Sequence, residues 1–404
     1  MMKSTFLFCI AIILIVSFST IAIGASVPDW NARIDHCLKF AESQLAKTVE
    51  SLPDSTRYPN MTDRKGVWIT NNRYHWTSGF FTGCLWQMYE YTGDNLWKNR
   101  AMKWTAPLGE MKDAARDHDI GFQIFLSYGN GYRLTRNEEY KKVVMKAAES
   151  LAKRFDPKVG LMMSWNPNEP WNLHKNWKFP VIVDNLMNLE LLFWAAQNGG
   201  NPEWLTIAET HTLNTAKYHV RDDGSVYHVI DFDPETGAIR KKDTHQGYSV
   251  ESAWARGNAW GIYGFTMAYR YTKNPVFLET AEKIANFFIS NLPDNFIPYW
   301  DFRAPEIPDE PRDSSAAAIV ASALLELETY TKDLSAQTRY HTTALSILES
   351  LSSPDFLAEG TPSSGLLLHG VWHKPINGGI DVSLIYGDCY FLEALLRLKK
   401  MLGQ

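Results

Sequence analysis

Residues 186–196 read LMNLELLFWAA, a stretch that is apolar on nearly every side of a helix. Only Asn188 and Glu190 interrupt it, so a helix formed here has too little polar surface to lie against water. Residues 254–271 and 314–327 have the same character. The pattern therefore predicts several helices that are buried on most of their sides.

Helices with one polar face lie between these dry stretches. One of them shows the i, i+3, i+4, i+7 spacing of an amphipathic helix at Tyr140, Val143, Val144, Ala147, Ala148, Leu151 and Phe155. Wetter and drier helices roughly alternate along twelve predicted helices, near 30–52, 76–91, 96–113, 118–136, 138–155, 183–198, 202–220, 251–272, 275–292, 312–332, 335–352 and 384–401. Six hairpins of one outer and one inner helix predict an all-α protein with an (α/α)6 barrel. The alternative is an open helical solenoid.

The connections between these helices are uneven in length. Those that leave the inner helices are short, such as 92–95, whereas those that enter them are long: 53–75, 156–182, 221–250, 293–311 and 353–383. The turn sequence DPETG at 233–237, after residues 225–233, predicts a small β-hairpin. Long loops of this kind usually serve function. In a barrel they would all lie over the N-termini of the inner helices, and we expect the site there.

Carboxylates recur at the starts of the predicted inner helices. They occur in five of the six, at 117–119, 184, 251, 313 and 388. Asp is an ordinary N-cap residue that stabilises a helix by about 1 kcal/mol, and capping is the favoured interpretation for Asp313 and Asp388. Asp119 follows His118, and Asp184 follows the apolar residues 179–183. For these two we predict that the carboxylates share one aromatic-lined cup and take part in catalysis.

Two buried carboxylates in one cup are suited to proton transfer. Burial and mutual repulsion favour protonation, and the helix N-terminus favours the anion, so the two pKa values are pushed apart. The chain contains 15 Trp, and the faces of tryptophan rings in the cup would stack on a sugar ring. Arg256, His245 and Gln246 offer donors for a carboxylate or sulfate, Arg256 by a bidentate fork.

The composition and the motifs of the sequence exclude several classes of protein function. With 40 Lys and Arg against 45 Asp and Glu in 404 residues, the net charge of −5 excludes a strongly basic nucleic-acid binder. The pair His369 and His373 has i, i+4 spacing but falls in a glycine-rich loop, so we predict no metal site. No dinucleotide fingerprint, P-loop or G-x-S-x-G elbow is present. His219 and His228, which flank residues 221–227, are interpreted as ordinary surface or hairpin residues.

The first 25 residues are expected to be a signal peptide. Lys3 precedes an apolar run at 6–16 and small residues at 22–26, the order of a secretory signal. An uncleaved membrane anchor is the alternative. The prediction is a secreted or periplasmic protein with one catalytic domain at 26–404 and no stable membrane insertion after processing. Its three remaining cysteines are expected to be buried thiols: Cys37, Cys84 and Cys389.

Eight blocks of sequence carry a resemblance to a known family. In order, they are 76–83 (WTSGFFTG), 118–122 (HDIGF), 184–188 (DNLMN), 244–247 (THQG), 252–264 (SAWARGNAWGIYG), 299–302 (YWDF), 312–316 (RDSSA) and 387–390 (GDCY). Across nearly the whole mature chain, the sequence resembles the unsaturated glucuronyl hydrolases, glycoside hydrolase family 88.

The resemblance implies an (α/α)6 barrel that hydrates the C4=C5 double bond of an unsaturated uronate at the non-reducing end of an oligosaccharide. It implies that Asp184 protonates C4 and then activates water for attack at C5, with release of a keto-uronate and the shortened sugar. It also implies that Asp119 helps to hold the substrate and its charge. No cofactor is implied. The implied substrate-binding positions are Trp76, His118, His245, Gln246, Arg256 and Trp260.

The loop 363–380 matches the region that differs most among members of this family. The resemblance implies that it faces the next sugar, with Trp372, His373 and Lys374 as specificity candidates; a solvated loop is the alternative. Two other functions stay open. One is an inverting glycosidase that uses Asp119 and Asp184 on saturated glycans. The other is a non-catalytic glycan-binding protein whose carboxylates only cap helices. For the function implied by the family resemblance, the expected partner is an unsaturated, uronate-containing oligosaccharide, and no nucleic acid is expected to bind.

Overall fold

The computed structural model describes residues 29–114, 116–170 and 172–403. The predicted signal peptide, and with it the membrane-anchor alternative, lies outside the described residues. Within them, no helix is both long enough and apolar enough to cross a membrane.

Fourteen α-helices occur in the described part of the chain. They are α1 (Trp30–Ser51), α2 (Ser78–Thr92), α3 (Asn95–Thr105), α4 (Ile120–Ile124), α5 (Asn130–Thr135), α6 (Glu138–Ala152), α7 (Asn185–Asn188), α8 (Glu190–Gln197), α9 (Glu203–His219), α10 (Ala255–Thr272), α11 (Pro275–Ser290), α12 (Ser314–Leu327), α13 (Leu334–Leu351) and α14 (Ile385–Met401). All twelve predicted helices are present. Three of them are divided: α3 is followed by a 3-10 helix, Ala106–Asp113, a π-helical segment, Phe125–Gly129, separates α4 from α5, and α8 continues α7 after a single residue.

The inner helices close into a ring. Along the chain, α2 contacts α4, α4 contacts α7, α7 contacts α10, α10 contacts α12 and α12 contacts α14, while α14 returns to α2. The outer helices pack behind them. The driest inner helix, α12, is buried along nearly its whole length, whereas its outer neighbour α13 buries a single face. The closed ring excludes the solenoid and confirms the predicted (α/α)6 barrel.

Among the described residues, nine short strands lie in the connections. They are β1 (Tyr58–Thr62), β2 (Trp68–Asn71), β3 (Phe155–Asp156), β4 (Leu161–Met162), β5 (Phe179–Ile182), β6 (Val229–Phe232), β7 (Ile239–Asp243), β8 (Gly370–His373) and β9 (Gly378–Val382). β6 and β7 pair antiparallel around the 233–237 turn, which confirms the predicted hairpin, although its first strand begins at Val229. β5 joins this hairpin as a third strand, with Phe179 opposite Phe232, and three further two-stranded ribbons were not predicted.

The expected caps divide into two cases. Asp313 precedes α12 and accepts hydrogen bonds from the Ser315 backbone N–H (3.1 Å) and hydroxyl (2.6 Å), as a cap should. Asp388 does not cap its helix. It lies inside the first turn of α14 and accepts the backbone N–H groups of Leu366 (2.9 Å) and Leu367 (3.0 Å). The capping prediction for Asp388 is therefore wrong, because its carboxylate holds the loop that precedes β8.

Candidate active site

A cavity of about 630 Å³ opens above the N-termini of the inner helices, at the end where the long loops meet. Its walls combine aromatic and titratable side chains. They are Tyr74, His75, Trp76, Asp117, His118, Asp119, Phe122, Trp165, His174, Ile182, Asp184, His245, Gln246, Arg256, Trp372, His373 and Ile376. Seven of the nine site residues expected from the sequence are among them.

Asp119 and Asp184 lie at helix starts but cap neither helix. Asp119 precedes α4 and Asp184 precedes α7, and neither carboxylate accepts a hydrogen bond from the helix backbone. Their exposed fractions are only 8% and 9%. Oδ2 of Asp184 is buried without a hydrogen-bond partner among the described residues. Because a buried polar atom without a partner costs about 1–3 kcal/mol, this oxygen is unlike an ordinary structural carboxylate.

Burial shifts the proton affinity of both acids upward. It raises the pKa of Asp184 to about 7, against the opposing charge of Arg256 and a hydrogen bond from the Trp260 indole. The pKa of Asp119 is raised well above its usual range by burial, and then by the nearby charges of Asp117 and Asp184. Near neutral pH, Asp184 can therefore both give and take a proton, and the raised pKa of Asp119 favours its protonated form.

His118 supports Asp119. Its Nε2 lies 3.5 Å from Oδ1 of Asp119, and the amide of Asn188 lies 3.4 Å from its other ring nitrogen. The same Asn188 accepts the Phe122 N–H at 2.8 Å. Complete burial lowers the pKa of His118 well below its usual value, so the imidazole is neutral.

The model of Glycosyl Hydrolase Family 88 matches residues 51–355. The chain belongs to glycosyl hydrolase family 88. An unsaturated glucuronyl hydrolase of Formosa agariphila is 44% identical over 331 residues, which is 81% of this chain and 80% of that protein. The crystal structure of an unsaturated glucuronyl hydrolase specific for heparin is similar with a TM-score of 0.88 and 40% identity, over 93% of this chain and 99% of that one. A Streptococcus agalactiae unsaturated glucuronyl hydrolase variant, solved with dGlcA-GalNAc6S, has a TM-score of 0.77 and 32% identity, over 90% and 91% of the two chains.

His228 is a site residue that the sequence analysis missed. It is buried immediately before β6, and its Nε2 lies 3.8 Å from Oδ2 of Asp184. Its Nδ1 accepts the backbone N–H groups of His245 and Gln246, both at 3.2 Å, which fixes the proton on Nε2, toward Asp184. Only the pairing of β5 with β6 brings positions 184 and 228 together, and β5 was not predicted to join this sheet. The surface interpretation of His228 is therefore wrong.

Arg256 is in the wall of this family 88 cavity, and three of its five N–H donors are already used by the protein. Nη1 donates to Asp313 (2.7 Å) and to the Val371 carbonyl (2.6 Å), and Nη2 donates to the Trp372 carbonyl (2.7 Å). Only part of the expected bidentate fork is therefore free, and binding of an acidic sugar by Arg256 stays a prediction. Arg256 also ties β8 to the barrel and places a positive charge near Asp184.

Trp260 and Lys374 lie outside the cavity wall. Trp260 is 1% exposed and packs behind the wall against Phe122, with ring centroids 5.5 Å apart. It reaches the site only through its hydrogen bond to Asp184. The Lys374 ammonium contacts Glu310 and lies 5.2 Å from the centre of the Trp300 ring. Its charge is thus neutralised by the protein rather than directed into the cavity.

The remaining predicted residues lie where a sugar would enter. Trp76 packs at 5.1 Å on the Tyr386 ring, and His245 lies between Trp165 (5.3 Å) and His373 (4.4 Å). Gln246 donates its amide to the Trp372 carbonyl at 3.1 Å. Residues that the sequence analysis did not assign to the wall complete this rim: Tyr74, His75, His174 and Ile376.

Proposed function

We propose that this protein removes the 4,5-unsaturated uronate from the non-reducing end of lyase-generated oligosaccharides by hydrating its C4=C5 double bond. One observation carries the proposal: the buried carboxylate of Asp184, whose pKa is raised to about 7, keeps one oxygen without a hydrogen-bond partner at the wall of an aromatic cavity. The names of its relatives in family 88 support the same chemistry.

Asp184 carries both proton transfers in this proposal. In its protonated form it gives a proton to C4, and the positive charge that develops at C5 is shared with the ring oxygen. The resulting carboxylate then takes a proton from the water that attacks C5. The hemiketal formed at C5 opens the ring, and C1 then releases the shortened sugar and leaves a keto-uronate. Because water returns the proton that C4 receives, Asp184 is regenerated in its acidic form.

The neighbouring groups hold the substrate and the charge. The raised pKa of Asp119 favours its protonated form, which adds no second negative charge near an anionic sugar and can donate a hydrogen bond to it. His228 directs its Nε2 proton toward Asp184 and steadies the carboxylate formed after proton transfer. We assign stacking to Trp76 and polar contacts to His118, His245 and Gln246.

The test is the loss of ultraviolet absorbance when enzyme is added to unsaturated disaccharides. Asp184→Asn should abolish that loss while the protein keeps its fold, as followed by circular dichroism. Asp388→Asn is the matched control, since Asp388 is also buried, has a pKa also raised to about 7 and lies outside the cavity wall. Full activity in Asp184→Asn, or cleavage of saturated oligosaccharides at the same rate, would contradict the proposal.

We also propose that the protein acts outside the cytoplasm after removal of residues 1–25. Lys3, the apolar run at 6–16 and the small residues at 22–26 support this export. Fractionation of the producing cells and N-terminal sequencing of the recovered protein test it. Recovery of a chain that still begins at Met1 would contradict cleavage.

A further inference from the structure

A second cavity occupies the opposite end of the barrel. It has a volume of about 430 Å³ and is lined by the C-terminal halves of the inner helices. Phe122 lines both cavities, so its ring separates them along the barrel axis. None of the residues assigned to the reaction lines this lower cavity.

The lower cavity has an aromatic wall that could receive a sugar ring. Trp194 is half-buried there, with its ring 6.1 Å from Phe125 and 5.5 Å from Tyr132. Phe125 begins the π-helical segment Phe125–Gly129, and this segment runs along the cavity. Segments of π-helix are rare and occur frequently at functional sites, so this one is a second local feature that marks the cavity.

The charges in the wall leave positive groups without partners. The lining contains three carboxylates and five cations: Glu90, Glu190, Glu393, Arg133, Arg136, Arg270, Arg397 and Lys400. Each carboxylate has one arginine, in the pairs Glu90–Arg133, Glu190–Arg270 and Glu393–Arg397. Arg136 and Lys400 are exposed at the rim and form no ion pair with any described residue. Glu326 lies behind the wall and contacts Arg270 and Arg397, yet even with it the cations outnumber the carboxylates, five to four.

Arg270 supplies a buried donor in the same wall. Its Nη1 donates to Glu190 at 3.0 Å, and its Nε lies 2.8 Å from Glu326. Its Nη2 is buried and donates to no described residue. Because a buried donor without an acceptor is costly, and more so when it is charged, Nη2 is suited to an oxygen atom of a ligand.

We propose that the lower cavity binds an acidic monosaccharide of the uronate class. The ring face stacks on Trp194, the carboxylate is held by the rim cations Arg136 and Lys400, and the buried Nη2 of Arg270 is a further donor. The volume falls within the range of small-molecule sites. This inference is independent of the reaction proposed for the upper cavity, because only Phe122 is shared between the two walls.

The probe is sodium glucuronate, titrated into the full chain at constant ionic strength, with glucose as the neutral control. We expect a saturable change in tryptophan fluorescence with glucuronate and a much weaker one with glucose. In Trp194→Phe, which keeps an aromatic ring between Phe125 and Tyr132, this change should disappear while calorimetry still detects binding. A fluorescence change that persists in Trp194→Phe, or the absence of any saturable change in the unaltered protein, would overturn the proposal.

A matched pair of charge variants tests the rim. Arg136→Asn removes an exposed cation that lies 5.7 Å from the centre of the Tyr132 ring, and Asn suits the left-handed backbone there (φ 58°). Lys217→Asn makes the same change in net charge on α9, outside the cavity wall, where Lys217 lies 4.8 Å from the centre of the Tyr218 ring. Glucuronate binding should weaken about three- to fivefold in Arg136→Asn, as for an exposed charge contact, and remain unchanged in Lys217→Asn. Equal weakening in both variants would show a general charge effect and contradict the assignment.

Discussion

The hydrogen bond from Trp260 to Asp184 provides a way to move the pH dependence of the reaction. Protonated Asp184 is the active form in the proposal, so its fraction is complete well below its pKa of about 7 and falls as pH rises through that value. The indole bond favours the carboxylate and therefore lowers this pKa. Trp260→Phe removes the bond, and we expect the alkaline limb of the rate profile to move to higher pH.

The size of the shift follows from the strength of the bond. A hydrogen bond to a charged group contributes about 1.5–3 kcal/mol, and one pKa unit corresponds to about 1.4 kcal/mol, so a shift of about one unit is expected after partial compensation. The loss of indole volume at a position that is 1% exposed should cost about 1–2 kcal/mol of stability as well. That loss of stability lowers the melting temperature but does not move the alkaline limb of the rate profile.

The assay is the initial rate of absorbance loss at low substrate concentration, measured from about pH 5 to pH 9, because kcat/KM reports the pKa of the free enzyme. Tyr390→Phe is the control, since Tyr390 packs on Trp260 at 5.5 Å and has no bond to Asp184. The reasoning is refuted if the alkaline limb of the rate profile stays in place or moves to lower pH in Trp260→Phe. It is also refuted if the limb moves equally in Tyr390→Phe.

Three other predictions concern charged and polar groups near the site. In Asp388→Asn, stability should lose part of its pH dependence: the raised pKa of Asp388 makes its contribution complete below about pH 4 and lost as pH rises through about 7, by up to about 4 kcal/mol, so the melting temperature should fall more steeply over this range in the unaltered protein than in the variant. His228→Phe should keep the ring packing but remove the proton near Asp184, so kcat should fall about tenfold with little change in KM, as steady-state kinetics would show. Lys374→Met should lower the melting temperature, because Glu310, whose side chain is 1% exposed, loses its counter-ion, and adding Glu310→Gln should restore much of the loss.

Periodicity predicted six hairpins of inner and outer helices but left an open solenoid as the alternative to the barrel that the resemblance implied. The distinction between dry and amphipathic helices depends only on the order of apolar residues, and the ring closes because the dry helices have no polar face to leave in water. The strands over the site were harder to predict. β1 and β8 have four or five residues each, and they are held by cross-strand pairing with partners that a single sequence does not reveal.

The same limit explains what the sequence did not reveal about individual residues. The resemblance implied substrate contacts for Arg256 and Lys374 because of their residue types and positions. Their actual partners, Asp313 and Glu310, are 57 and 64 residues away along the chain. Which cation is neutralised depends on how loops pack, and no local pattern records that. His228 was missed for the converse reason, because its neighbour Asp184 is brought close only by sheet pairing.

The four aspartates of the inner-helix starts show why position alone does not identify a catalytic acid. All four are nearly buried, but Asp313 is occupied by the start of α12 and by Arg256, and Asp388 by two backbone N–H groups. A carboxylate so occupied has little capacity left for a ligand. Asp119 and Asp184 cap no helix and line the cavity, and Asp184 keeps one oxygen without a partner. Hydrogen bonds already made by the fold, rather than burial or raised pKa, separate the acids available for chemistry from those that hold the barrel together.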